Sequence, residues 1–263
     1  PVLQDRLSAG AISGNTLTLH FTAPAAHADE DTRLCAASVF DVLRTLMNLP
    51  SQADDRHALF CGGLFSYDLV AAFEALPPGE RTNSCPDYCF YLAETLLTID
   101  HQQQTSELVT LTFTADAAEQ TRLTAQHQQV LTTLAQPVTG SASVTPVDII
   151  VTTSHSDADF CTIVNQLKQS IVQGDIFQVV PSRRFQLPCP SPMAAYRELK
   201  TRNPSPYLFF MQDADFTLFG ASPESALKYD PATRQIEIYP IAGTRPRGLS
   251  ADGSVDADKD SRL

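Results

Sequence analysis

Apolar and polar positions recur with two different periods along the chain, and the changes of period divide it into elements. Leu17, Leu19 and Phe21 alternate with polar neighbours over 15–21, which predicts a half-buried strand. Over 31–48 the interval lengthens. Leu34, Val39, Val42, Leu43, Leu46 and Met47 recur near helical spacing, and Pro50 supplies a stop, so the pattern predicts one helix. Residues 58–70, ALFCGGLFSYDLV, read as a strand with a glycine pair inside it. Glycines in a strand interior mark a bulge or a close backbone approach. The runs 88–100 and 107–114 read as two strands paired across a polar connection. A helix is predicted over 117–135, with Leu123, Val130, Leu131 and Leu134 on one face.

The stretch QPVTGSASVTPV (136–147) breaks both periods and reads as a linker. Beyond it, Ser156 or Asp157 can cap a helix whose face is Phe160, Ile163, Val164, Leu167 and Ile171. Gly174 stands where a left-handed C-terminal cap belongs. Residues 176–187 are β-branched and aromatic and predict a strand, with Pro181 pointing to an edge or a bulge. Ser191-Pro192 opens a short helix that ends near Asn203. Four runs then predict a meander: YLFFMQ, FTLFGA, SALKYD and QIEIYPI. Strands in runs, with helices set apart from them, indicate an α+β fold of antiparallel sheets with helices outside.

Composition narrows the function classes. The 263 residues carry a formal net charge of −12. That argues against a nucleic-acid or acidic-membrane surface, because phosphate contacts need clustered Lys and Arg. No run approaches the length of a membrane span, and PVLQDRLSAG lacks the layout of a secretory signal. The six scattered cysteines read as reduced cytosolic thiols, and the Cys85/Cys89 pair has no second pair to complete a zinc site.

Five stretches invite a chemical reading: GGLFSYD (62–68), GDIFQVVPSRRF (174–185), NPSPYLFF (203–210), GASPES (220–225) and PIAGTRPRG (240–248). Each alone has a plain explanation. The second is a helix stop followed by a strand, with Arg183 and Arg184 as solvated charges. The third is a strand entry after a helix, and the fourth a hairpin turn. The last puts a glycine, a hydroxyl and two guanidiniums at the end of a strand, which suits either a turn or a cradle for a small anion.

Taken in this order and spacing, the five resemble the chorismate-utilising enzymes, and among them the large subunits (component I) of anthranilate synthases. The resemblance covers essentially the whole chain and is most specific in its second half; Ser66 is a small departure where many relatives read Gly. It implies a layered α/β/β/α sandwich, incomplete in this chain. Residues 1–140 would be the N-terminal region, truncated at its start, and 148–263 the first part of the chorismate-binding domain, truncated at its end. It implies a cytoplasmic lyase that converts chorismate and ammonia to anthranilate and pyruvate in tryptophan biosynthesis. Mg2+ is the cofactor, and a glutamine amidotransferase subunit (component II) supplies ammonia within a hetero-oligomer. The family's metal-binding glutamates and catalytic histidine would fall beyond residue 263, so these residues alone are expected to be inactive.

The resemblance also assigns residues. Gly243 and Thr244 would hold a chorismate carboxylate, with Arg245 and Arg247 supporting the loop rather than touching substrate. Pro206, Tyr207 and Leu208 would line a site for tryptophan as feedback inhibitor. Ala242 stands where aminodeoxychorismate synthases carry a lysine nucleophile. Gln178 stands where water-using relatives carry a lysine base. A methyl group and a neutral amide can play neither part, so both positions favour external ammonia. Two other readings are an aminodeoxychorismate synthase component I and a ligand-binding module without turnover.

Overall fold

The computed structural model describes residues 7–14, 16–21, 29–48, 59–74, 85–137, 149–241 and 246–262. The chain divides into two units, Pro1–Thr139 and Gly140–Leu263. The described residues combine helices with antiparallel strand pairs, an α+β arrangement.

In the first unit β1 (Leu7–Ser13) and β2 (Thr16–Phe21) form an antiparallel hairpin. The single helix expected over 31–48 is two, α1 (Glu30–Cys35) and α2 (Phe40–Met47). The reason lies in Asp41, which is only 6% exposed. Its carboxylate reaches back to accept the Ser38 amide at 3.0 Å and also takes the Arg44 guanidinium at 2.8 Å. A side chain that satisfies a backbone N–H in this way starts a new helix instead of continuing the old one. Asp29 does the same for α1, accepting from the Thr32 amide at 2.8 Å.

The strand expected over 58–70 is shorter, β3 (Cys61–Phe65), and is followed by a 3-10 turn over Tyr67–Ala72. The Ser66 amide donates to the Asp87 carbonyl at 2.8 Å, and the chain then winds so that the Leu69 amide reaches the Ser66 carbonyl. The run 88–100 is likewise two strands, β4 (Tyr88–Leu92) and β5 (Thr95–Asp100). β4 pairs with β3, whereas β5 pairs with β6 (Thr105–Thr110). The switch falls at Ala93 and Glu94: the Ala93 amide donates to Phe60, and the Glu94 carbonyl accepts from Leu111.

Phe40 of α2 stacks on Phe73, with centroids 5.4 Å apart, and meets Phe65 of β3 edge-on at the same distance. The Tyr88 hydroxyl donates to the Val39 carbonyl at 3.2 Å, which ties α2 to the β3–β4 pair. Helix α3 (Ala117–Leu134) forms as the periodicity predicts and buries Leu123 to 3% exposure, but Leu131 and Leu134 of the same face are exposed. His127 Nδ1 lies 2.9 Å from the Thr110 hydroxyl and links α3 to β6. The predicted linker lies largely outside the described residues.

In the second unit β7 (Thr152–Thr153) leads into α4 (Asp157–Gln173). Ser156 and Asp159 form a reciprocal capping box, and Gly174 ends the helix at φ 82°. The strand expected over 176–187 is reduced to β8 (Phe185–Gln186), paired with β7. The rest of that run has no strand partner among the described residues, and Phe177 is 99% and Val180 81% exposed. Helix α5 (Pro192–Arg202) starts on Ser191 and stops at Asn203. It lays Tyr196 against Phe210 and Phe219, at 5.4 and 6.1 Å. The four-stranded meander is instead two separate hairpins. β9 (Tyr207–Gln212) pairs with β10 (Thr217–Ser222), and β11 (Lys228–Asp230) with β12 (Gln235–Glu237). The GASPES turn therefore joins two hairpins rather than closing one. A four-residue helix, α6 (Ala257–Asp260), follows near the end.

Gly63 is the close approach that its place in a strand predicts. The β3–β4 register is regular, and a Cβ on Gly63 would collide with the Cys89 carbonyl oxygen and the Phe90 backbone. A Cβ on Gly62 would meet only the half-exposed Phe60 ring, which can rotate away. Gly63→Ala should therefore lower unfolding stability by about 1–3 kcal/mol, as overpacking does, while Gly62→Ala changes it less. Urea midpoints of the two variants check the difference.

Candidate functional site

Three of the singled-out stretches converge in the second unit. After β12 the chain runs from Ile238 to Ile241 without regular structure, and the Ile241 amide donates to the Glu224 carboxylate at 3.0 Å. Glu224 is itself held by the turn that follows β10. Its amide donates to the Ser222 hydroxyl at 3.3 Å, and that hydroxyl donates back to the Glu224 carbonyl at 2.9 Å. The Tyr239 hydroxyl donates to the Glu237 carboxylate at 2.8 Å. The bond to Glu237 pushes the Tyr239 phenol up from its ordinary value, and Tyr207, at the start of β9, adds a smaller push. GASPES, the start of YLFF and the approach to AGTRPRG thus meet at one end of the β9–β10 and β11–β12 hairpins.

Ala242, Gly243, Thr244 and Arg245 lie outside the described residues. Past them, the Gly248 amide donates to Asp260 Oδ1 at 3.0 Å, and Arg247 donates to Asp260 Oδ2 at 2.6 Å. The Gly248 N–H, with Arg247 second, holds the Asp260 carboxyl below the usual range. The intervening residues fold back on themselves. Leu249 bridges to Val255, the Asp256 amide donates to the Gly248 carbonyl at 2.8 Å, and Lys259 donates to the Leu249 carbonyl at 3.1 Å.

Pro206 and Tyr207 are exposed and Leu208 is half-buried, as strand alternation requires. Tyr207 pairs with Ser222 and Leu208 with Ala221. Gln178 is exposed in the run before β8 and, among the described residues, makes no hydrogen bond. Arg183 departs from the solvated charge that composition suggests. Its side chain is 18% exposed, pairs with Asp157 at 2.5 Å, and lies 4.9 Å over the Phe185 ring. The Arg184 amide donates to the Ser154 hydroxyl at 3.0 Å, so the run is pinned beside the start of α4.

Sequence reasoning did not single out Glu224 or Asp260. Glu224 acts across 17 residues and Asp260 across 12, separations that no periodicity reveals. Among the described residues no group of three His, Cys, Asp or Glu could hold a metal ion. Among the same residues no helix is long and apolar enough to cross a membrane.

Comparison with known proteins gives a consistent picture. A family model described as chorismate binding enzyme matches residues 6–260. Anthranilate synthase component 1 of Salmonella typhimurium is 56% identical over 271 residues, which cover all of this chain and 51% of that protein. The same component of Escherichia coli is 54% identical over 270 residues, again all of this chain and 51% of the relative. The chain thus spans about half the length of the curated relatives it matches. The crystal structure of anthranilate synthase component I from Streptococcus pneumoniae superposes with a TM-score of 0.60 at 24% identity, covering 84% of this chain and 49% of that one. This last likeness concerns the fold.

The capping box at α4 carries a pH signature. Asp159 accepts from the Ser156 hydroxyl at 2.6 Å, and that bond first, then the Ser156 amide, holds its carboxyl below the usual range. A depressed folded value means that the contribution is present above the unfolded carboxylate range and is lost as pH falls through the folded value. Ser156→Ala should return the Asp159 titration toward its ordinary position and remove that acid-dependent part of stability. NMR titration of the Asp159 carboxyl, with melts from pH 7 down to pH 3, checks both.

Proposed function

The chain belongs to the chorismate-binding enzyme family, and on that footing we propose that it is the chorismate-handling part of an anthranilate synthase large subunit. The observation that carries the reading is the 54–56% identity to anthranilate synthase component 1 over the full length of this chain. In the reaction, ammonia adds at C2 of chorismate while the C4 hydroxyl leaves, and pyruvate is then eliminated to give anthranilate. The choice of nucleophile fits two residues. Ala242 has no atom that can attack the ring, and Gln178 has no basicity at neutral pH with which to activate water. Gly243 would let the backbone approach a substrate carboxylate, and Thr244 would donate to it. One such charge-assisted bond is worth about 1.5–3 kcal/mol.

The finer parts of the reading rest on the family resemblance. They are the layered sandwich, with 1–140 as the N-terminal region and 148–263 as part of the chorismate-binding domain. They also include a cytoplasmic location, a glutamine amidotransferase partner that delivers ammonia, and feedback inhibition by tryptophan. Mg2+ belongs with them. When bound it would act as a Lewis acid, and the family resemblance puts the glutamates that would hold it beyond residue 263. A second reading, an aminodeoxychorismate synthase component I, is disfavoured by Ala242.

Purified intact protein given chorismate, ammonium and Mg2+ should release pyruvate and a product with the fluorescence of anthranilate. Release of aminodeoxychorismate without pyruvate would select the second reading, and no turnover of chorismate would overturn both. Inhibition has its own test. Pro206 fixes φ near −65° at the entry to β9, and the exposed Tyr207 ring is open to an indole, a contact worth about 0.5–1.5 kcal/mol beyond area burial. Pro206→Ser should raise the tryptophan concentration for half-inhibition several-fold and leave uninhibited turnover within about twofold. Dose–response curves of the two proteins measure it, and lost turnover with unchanged sensitivity would give Pro206 a structural role only.

A further inference from the structure

The carboxylate of Asp260 accepts hydrogen bonds from two successive residues, the Arg247 side chain at one oxygen and the Gly248 amide at the other. Gly248 is buried, and a Cβ there would collide with the backbone of Lys259 and Asp260. The glycine is therefore required for the two ends of this segment to touch. Between them the chain closes on itself through the Leu249–Val255 bridge and the Asp256–Gly248 backbone bond. Asp256 caps α6 by accepting the Asp258 and Lys259 amides, each at 3.1 Å, which sets the direction from which Asp260 arrives. The segment that carries Gly243 and Thr244 enters this closed loop at Pro246.

We infer that Asp260 is a positioning residue for the substrate loop: it clasps Arg247 and Gly248, sets the downstream end of AGTRPRG, and engages the Arg247 charge so that Arg247 serves the loop rather than the substrate. The inference rests on the reading that Gly243 and Thr244 hold the chorismate carboxylate. Two other charged side chains of the segment have partners of their own. Lys259 lies 3.5 Å from Asp256 and donates to the Leu249 carbonyl, and Asp252 accepts from the Ser254 amide and hydroxyl. Asp260 takes both Arg247 and Gly248 by its side chain, beside the backbone bond from the Asp256 amide to the Gly248 carbonyl.

The test is a double-mutant cycle in the intact protein, with chorismate as the varied substrate. Arg247→Gln and Asp260→Asn should each raise KM by a similar factor, roughly three- to tenfold, and lower kcat less. The double variant should be no worse than the worse single. Effects that multiply, or a KM for Arg247→Gln at least ten times that for Asp260→Asn, would show that Arg247 meets the anion itself and would overturn the inference. Hydrogen exchange of the peptide 246–260 supplies a readout independent of turnover. Asp260→Asn should speed exchange at Gly248, and unchanged exchange would overturn the clasp. If the unsubstituted protein fails to turn over chorismate, the functional reading falls, while the exchange result still decides whether the clasp exists.

Discussion

A backbone N–H at the start of a helix or the end of a strand has no partner within its own element, and each hydrogen bond that answers it contributes about 0.5–1.5 kcal/mol net. In this chain the answer is repeatedly a carboxylate. Asp29 opens α1, Asp116 opens α3 by accepting the Glu119 amide at 3.0 Å, Asp159 shares the cap of α4, and Asp256 opens α6. The same chemistry recurs away from helices, where Glu224 holds the Ile241 amide and Asp260 the Gly248 amide. The net charge of −12 thus reflects more than solubility, because a good share of the acids are acceptors at places where the backbone changes course. Asp29, Asp159, Asp230 and Asp260 all have carboxyls held below the ordinary range, each with a hydrogen bond from a neighbouring backbone or hydroxyl group as the first cause.

That pattern explains what could be read from sequence and what could not. Helices α3, α4 and α5 were legible because their signals are local: Ser156 with Asp159 and Gly174 bracket α4, and Ser191-Pro192 and Asn203 bracket α5. The split of 31–48 was hidden because Asp41, inside an apolar-looking face, tied Ser38 instead of continuing the helix. Strands fared worse for a different reason. Whether a β-branched run is a strand depends on a partner elsewhere in the chain. The run 88–100 found two partners and broke between them, whereas 176–183 found no strand partner among the described residues and has no regular structure.

The candidate site shows the same division. Its motifs were visible as short strings, and the family match over residues 6–260 agrees with them. The alternation of Tyr207 and Leu208 across β9 followed from the pleat. What the strings could not show was how they touch, since Glu224 to Ile241 and Asp260 to Gly248 are contacts across turns with no fixed offset. Arg183 is the converse case. Its place beside Arg184 suggested two solvated charges, yet Asp157 and the Phe185 ring take it largely out of water.

The run between α4 and β8 leaves Phe177 and Val180 almost wholly in contact with water. Water around such side chains has a thermal signature of its own: covering apolar surface lowers the heat capacity, whereas forming polar contacts does not. Calorimetry at several temperatures would therefore distinguish an event that covers Phe177 and Val180 from one confined to the polar loop around Asp260. The first makes the enthalpy more negative as the temperature rises, and the second does not.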